Sequence, residues 1–238
     1  MKQLRIKIIW LTVFSIAMGF MEAAVVVYLR KIYYPYGFQF PLTPVEPSIG
    51  MTEFLREAAT IIMLLAIGIL TGKNTSQKFG IFIFSFAVWD IFYYVFLKLF
   101  IGWPESFFTW DILFIIPVPW VGPVLAPCVV SLTMIALTFS VIYYQEKGID
   151  VHLKMKEWIL LIAGALVIIL SFVQDYLKYC SIHNARYSLP WKDTLFNEIS
   201  TYVPSSFNWW IFTCGEALII AGIISFIKRA RGRLRVCS

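Results

Sequence analysis

Long apolar runs alternate along the chain with shorter polar stretches. Six of these runs have about 20 residues, enough for a helix to cross a hydrocarbon core roughly 30 Å thick. The pattern therefore predicts an all-α integral membrane protein, a multi-pass bundle of six transmembrane helices. The predicted spans are about 6–29, 52–71, 79–101, 119–144, 157–175 and 207–227.

The connections between these runs are of two kinds, short ones on one side of the membrane and long aromatic ones on the other. Within the second long connection, Trp103–Ile116 is predicted as a short interfacial helix, after which prolines break the chain. Within the third, Leu189–Tyr202 is predicted to lie flat on the membrane, with Pro190 in its first turn. The long connections are Arg30–Met51, Gly102–Pro119 and Leu177–Ser206.

Composition supports the membrane prediction and leaves no room for a soluble domain. The chain is 60% hydrophobic and only 14% charged, whereas a soluble domain is roughly half apolar and a quarter charged. We therefore interpret residues 1–238 as a single polytopic membrane domain, with the lipid bilayer as its main partner. The net charge of +6 does not indicate a nucleic-acid partner, because the basic residues flank the apolar runs.

The distribution of these basic residues predicts the orientation. If the short connections and both chain ends are on one side, that side holds 13 of the 20 lysines and arginines. Positive charges accumulate on the cytoplasmic side of membrane proteins, so both termini are predicted to be cytoplasmic and the long aromatic loops to be outside. The first apolar run is too long for a cleaved signal peptide. The short tails favour a bacterial cytoplasmic (inner) membrane.

Three carboxylates lie deep inside the apolar runs, at the middle or outward of it, and the inner half has no comparable acid. With a rise of about 1.5 Å per residue, Asp90 is at the middle of the third run and Glu22 is roughly 7 Å outward of the middle of the first. Glu216 is slightly outward of the middle of the sixth. A central acid costs about 2.5–3.5 kcal/mol on insertion, so such groups usually face the bundle interior or water. We predict that these acids form one buried, aromatic-lined site.

Further polar residues at similar depth are candidate members of this site. Glu53, Arg56 and Glu57 share one face near the outer end of the second run, and Tyr93 and Tyr94 follow Asp90 in the third. Since the acids outnumber Arg56, at least one is predicted to be protonated or to bind a proton or cation.

The alternative is that each acid is a structural clip between helices. Asp90 would then bind a tyrosine, a tryptophan or the backbone, and Glu22 or Glu216 would pair with Arg56. Four polar residues near the outer surface are predicted to be solvated or to cap helices: Asp111, Asp175, Lys178 and Asn208.

Most cofactor chemistry has no support in the sequence. The chain has two histidines, both in loops, and four scattered cysteines without ligand spacing, so we expect no metal site, disulfide framework or haem. Phosphate-binding glycine loops and a nucleophile elbow are also absent. We therefore expect no cofactor.

Three classes of function remain open. The first is handling of an ion, a proton or a small solute at the acidic site. The second is a non-catalytic subunit or assembly factor that binds other membrane subunits, for which the small residues Gly215, Ala217, Ala221 and Gly222 would permit close helix packing. The third is a cofactor-free acid/base enzyme for a lipophilic ligand, isoprenoid- or lipid-like.

Overall fold

The structure, a computed structural model, describes residues 2–149, 152–183 and 200–237. Six helices in this part of the chain are long and apolar enough to cross a membrane. The protein is thus an integral membrane protein built as an all-α six-helix bundle. The helices are α1 (Lys2–Tyr33), α2 (Pro47–Thr71), α3 (Thr75–Ile101), α4 (Leu125–Glu146), α5 (Met155–His183) and α6 (Trp209–Cys237).

Most helices extend beyond the predicted spans, because a helix leaving the bilayer continues until a cap or a proline stops it. Pro47 opens the first turn of α2, where its missing N–H is not needed. The side chain of Asn74 accepts a hydrogen bond from the Gln77 N–H at the start of α3. Gly102 ends α3 with a φ of 69°, a left-handed conformation that favours glycine.

Helix α3 is the centre of the bundle and packs against α1, α2 and α4. Helices α5 and α6 form a close pair, which joins the rest through α6 on α4 and, equally, through α5 on the segment just before α4. Gly164 of α5 and Gly215 of α6 face each other at the crossing of this pair, since a Cβ on either would lie within 3 Å of the other's carbonyl oxygen.

Successive helices run in opposite directions, so the bundle has two distinct faces. The start of α1 and the end of α6 lie on one, which we call the termini face. There Lys7 of α1 donates a hydrogen bond to the carbonyl of Thr71, the last residue of α2. The opposite face, which carries the connection between α3 and α4, is called the hairpin face.

The predicted interfacial helix at 103–116 is wrong. Its second half forms strand β1 (Trp110–Phe114), which pairs antiparallel with β2 (Trp120–Pro123). The fourth helix accordingly starts at Leu125 and not near residue 119. Prolines 117 and 119 cannot donate the hydrogen bonds that a continuing helix needs, whereas the strands on either side of them pair with each other. The predicted surface helix at 189–202 lies almost wholly outside the described residues.

The hairpin enters the bundle instead of resting on its surface. Phe114 at the end of β1 stacks on Phe86, with ring centroids 6.0 Å apart. Phe86 is roughly 22 Å from the end of α3 at Ile101, at about 1.5 Å per residue. Trp120 at the start of β2 stacks on Phe172 of α5, at 6.3 Å. Non-helical backbone is tolerated at membrane depth where protein surrounds it, and the aromatic rings of α3 and α5 supply that cover here.

Candidate functional site

The three deep acids that the sequence predicts as one site lie in three different helix contacts. Glu22 of α1 is ion-paired with Arg56 of α2. Asp90 of α3 accepts a hydrogen bond from the Ser131 hydroxyl of α4, at 2.8 Å. Glu216 of α6 faces Thr133 of α4. The acids therefore do not converge on one pocket.

Arg56 holds two of the predicted site residues on one guanidinium group. Its Nη2 lies 2.7 Å from Glu53 Oε2, and its Nη1 contacts Glu22 Oε1. Glu57 is not part of this ion pair. It accepts a hydrogen bond from the backbone N–H of Ile115, at 3.0 Å, and so binds the inner end of the hairpin to α2.

Asp90 is buried and is held by a hydroxyl group. Within residues 6–149, 152–182 and 200–234, where side chains are described, it makes no ion pair, and Ser131 is its side-chain hydrogen-bond donor. Neither predicted tyrosine binds it. The Tyr94 hydroxyl donates to Asp111 at 3.2 Å, and Tyr93 lies within electrostatic reach of Arg30 and Arg56.

A second buried ion pair, missed by the sequence analysis, joins the hairpin to α1. Arg30 Nη2 lies 3.0 Å from Asp111 Oδ1, with the two side chains only 8% and 2% exposed. The guanidinium carbon lies 3.6 Å from the centroid of the Trp103 ring and 4.2 Å from that of Phe38, distances at which cation–π attraction acts. The prediction that Asp111 is a solvated or capping residue is wrong.

The reason for this error is the missed strand. In β1, Asp111 points opposite to its neighbours Trp110 and Ile112, as alternate residues of a strand do. This directs its carboxylate inward, to Arg30 and Tyr94. The one sequence signal for this strand was that polar Asp111 alternates with apolar Trp110 and Ile112.

The other three surface residues behave more as predicted. Asn208 caps α6 by accepting from the N–H of Ile211, at 3.2 Å, and Lys178 is exposed. Asp175 accepts from the backbone and hydroxyl of Ser205 and from Tyr202. Burial and then Asp175 raise the pKa of the Tyr202 phenol, which thus stays a neutral donor to this carboxylate.

Glu216 differs from all the other acids. It is 5% exposed, and neither carboxylate oxygen has a hydrogen-bond partner among the described residues. The Thr133 hydroxyl beside it donates to the carbonyl of Val130, at 2.8 Å. Phe212 and Ile219 flank Glu216 on its own helix, one turn away on each side, and both belong to an apolar cluster with α4 and α5.

A cleft of about 740 Å³ opens beside Arg30 on the hairpin face. Arg30, Phe38 and Trp103 line it, with Lys31 and Glu105 among its charged residues. Asp111, the ion-pair partner of Arg30, is not among the residues that line this cleft. The cleft therefore brings the hairpin-side solution close to the Arg30–Asp111 pair.

Carboxyl groups outnumber cations in this half of the bundle. Around the hairpin, the described side chains include two buried or half-buried guanidinium groups, Arg30 and Arg56. Five carboxyl groups lie in the same region: Glu22, Glu53, Glu57, Asp90 and Asp111. We call these seven residues the hairpin-side cluster.

No group of His, Cys, Asp and Glu among the described residues is arranged to hold a metal ion. No protein-family model, curated protein or solved structure matches this chain. The hairpin-side cluster and Glu216 are therefore the two features of the protein that bear on its function.

Proposed function

We propose that this protein handles protons or small monovalent cations at the hairpin-side cluster. The observation that carries the proposal is the excess of five carboxyl groups over two guanidinium groups. In the orientation that the basic residues favour, the cluster faces outward from a bacterial cytoplasmic membrane.

The excess has a physical consequence. Arg30 balances Asp111, and Arg56 is shared between Glu22 and Glu53. No cation remains for Asp90 or Glu57 among the described ion pairs. An isolated ionised carboxylate is very costly to bury. The surplus carboxyl groups are therefore expected to take up protons or small cations, which is the elementary step of ion handling.

The cluster also offers a short series of groups between the hairpin face and Asp90. The cleft lies beside Arg30, which binds Asp111, which in turn accepts from Tyr94. Asp90 precedes Tyr94 by four residues, so both lie on one face of α3. Tyr94 makes no hydrogen bond to Asp90 in the described residues. Access from the hairpin face is supported because polar groups lead from the cleft to the helix turn next to Asp90.

Proton flux into liposomes tests the proposal. Purified protein is reconstituted with a pH-sensitive dye inside, and a pH gradient is imposed, with Na⁺ or K⁺ gradients in parallel. We expect flux above that of empty liposomes in the wild type and a loss of most of it in Asp90→Asn. Asn keeps an acceptor for Ser131, so the fold is retained. Glu146→Gln, at an exposed acid at the end of α4, is the matched control.

Two results would contradict the proposal. One is wild-type flux equal to that of empty liposomes under all three gradients. The other is equal flux in the wild type and in Asp90→Asn.

Glu216 supports a second candidate, a cofactor-free acid/base enzyme for a lipophilic substrate. A buried carboxyl group without a hydrogen-bond partner in the described residues, flanked by Phe212, is free to donate a proton to such a substrate. Conversion of components of a lipid extract, followed by mass spectrometry, tests it. The enzyme hypothesis predicts that Glu216→Gln abolishes the conversion of lipid. The ion-handling proposal predicts that ion flux is lost only in variants of the hairpin-side cluster, and not in Glu216→Gln.

The hypothesis of a subunit or assembly factor stays a prediction. Two of the small residues that suggested it pack inside the chain. A Cβ on Gly215 would lie 2.9 Å from the Gly164 carbonyl oxygen, and one on Gly222 would lie 3.3 Å from Leu160 Cβ. Ala217 and Ala221 are exposed and remain available to a partner.

A further inference from the structure

A second cavity, of about 500 Å³, lies on the termini face between α1, α3 and α4. Helices α1 and α4 each pack on α3 and have no extensive contact with each other in the described residues. The cavity is therefore a groove along α3, between α1 and α4. We call it the termini groove.

The rim of the termini groove is basic and rich in hydrogen-bond donors. The ammonium groups of Lys7 and Lys73 lie within electrostatic reach of each other, and neither forms an ion pair among the described residues. The amide oxygen of Gln77 accepts from the Lys73 N–H at 2.7 Å, which leaves the amide nitrogen to donate. Glu146, exposed at the end of α4, is the acid that lines the groove.

The floor of the groove is apolar and lies deeper along the bundle axis. Leu11 and Ile81 are buried there. At about 1.5 Å per residue, Leu11 is roughly 6 Å below Lys7, and Ile81 is roughly 9 Å below Thr75, where α3 begins just after Lys73. Val141, Ile8 and Ile142 complete the apolar lining.

We infer that the termini groove binds one anionic phospholipid. Its phosphate lies between Lys7 and Lys73, with Gln77 as a further donor, and the first part of an acyl chain lies on the apolar floor. Basic pockets between transmembrane helices are suited to anionic headgroups. A free phosphate ion leaves the floor unused, and a neutral lipid leaves the net positive charge of the rim, two lysines against Glu146, unbalanced. This inference is independent of the proposed function.

Lipid binding to the full-length protein tests it. Delipidated protein in detergent is titrated with phosphatidylglycerol, with phosphatidylcholine of the same chains and with inorganic phosphate, and bound lipid is counted by native mass spectrometry. We expect one tightly bound phosphatidylglycerol, with phosphatidylcholine at least about tenfold weaker. Lys7→Gln/Lys73→Gln is expected to weaken the binding of phosphatidylglycerol on the order of 30-fold, the loss expected when two lysines near an anionic headgroup are neutralised. The binding of phosphatidylcholine should not change.

Two further variants separate the two parts of the site. Lys147→Gln/Lys156→Gln removes the same charge from the same face outside the groove lining, and we expect it to leave binding unchanged. Ile142→Trp fills the apolar floor without changing the charge, and we expect it to weaken the binding of phosphatidylglycerol.

Three results would overturn the inference. The first is equal affinity for the two lipids. The second is an equal effect of the two double lysine variants. The third is displacement of phosphatidylglycerol by inorganic phosphate at equal concentration, which would assign the site to the free ion.

Discussion

The two faces of the bundle each bury carboxylates at contacts between elements, but they balance them differently. On the termini face, Glu157 of α5 accepts two hydrogen bonds from Arg229 of α6, at 2.8 and 2.7 Å, and one from the backbone N–H of Lys154. Arg229 also donates to the His152 carbonyl. Glu157 is therefore balanced by one cation, Arg229, and both of its carboxylate oxygens accept hydrogen bonds.

The hairpin face lacks this balance. Asp90 has a single hydroxyl donor, Arg56 serves both Glu22 and Glu53, and Glu57 is bound by a backbone N–H. An ion pair such as Glu157–Arg229 holds two helices together. Its carboxylate is already balanced and needs no further proton or cation. A surplus of carboxyl groups can bind and release protons or cations, and this difference is why the proposed function is placed on the hairpin side.

The largest expected effect is on the Arg30–Asp111 pair. Arg30→Met leaves a buried carboxylate without its cation, and we expect a loss of about 3–5 kcal/mol in the free energy of unfolding. Arg30→Met/Asp111→Leu removes both charges and should recover most of that loss. Unfolding in mixed micelles measures both. Equal losses in the single and double variants would show that the two charges are not coupled.

The corresponding change on the termini face should cost less. Arg229 is 15% exposed, and Glu157 keeps its bond to the Lys154 N–H when the arginine is removed. For Arg229→Met we expect a loss of about 1.5–3 kcal/mol, the range for hydrogen bonds to charged groups, in the same assay. A loss greater than that of Arg30→Met would reverse the comparison.

The α5–α6 pair should resist added volume at its crossing. A Cβ on Gly215 would lie 2.6 Å from Ile168 Cγ1 and 2.9 Å from the Gly164 carbonyl. We expect Gly215→Ala to cost about 1–2 kcal/mol through overpacking, and Gly222→Ala to cost less. Gly232 has open space around it, so Gly232→Ala is the control. Equal stability of all three variants would mean that the crossing is looser than the structure shows.

The smallest expected effect on stability is that of Asp90→Asn. The asparagine carbonyl can still accept from Ser131, so we expect a change under about 1 kcal/mol. Glu157→Gln is the matched comparison and should cost more, because it removes the charge that binds Arg229. A loss for Asp90→Asn as large as that for Glu157→Gln would place Asp90 among the structural clips.

The helices could be predicted from the sequence because apolar runs of membrane length are a strong local signal. The same scarcity of charge made Glu22, Asp90 and Glu216 conspicuous. Their separation into three contacts could not be predicted, because it depends on which face of each helix meets its neighbour. The pairing of Glu22 with Arg56 was one of two alternatives that the sequence left open.

The hairpin and its ion pair were missed for a different reason. Strands of four and five residues give a weak local signal, and an aromatic segment between two spans resembles an interfacial helix. Arg30 and Asp111 are 81 residues apart, so nothing local connects them. Without the strand, Asp111 was interpreted as a surface residue.

The central claim is that surplus carboxyl groups on the hairpin side bind protons or cations. Infrared spectroscopy of the reconstituted protein tests it most directly, because protonated carboxyl groups have their own carbonyl absorption. In the wild type, we predict that this absorption is present at neutral pH or appears when Na⁺ and K⁺ are removed. We expect the absorption to be weaker in Asp90→Asn and to be unchanged in Glu157→Gln. Absence of this absorption with and without these cations, or a spectrum that Asp90→Asn leaves unchanged, would contradict the account.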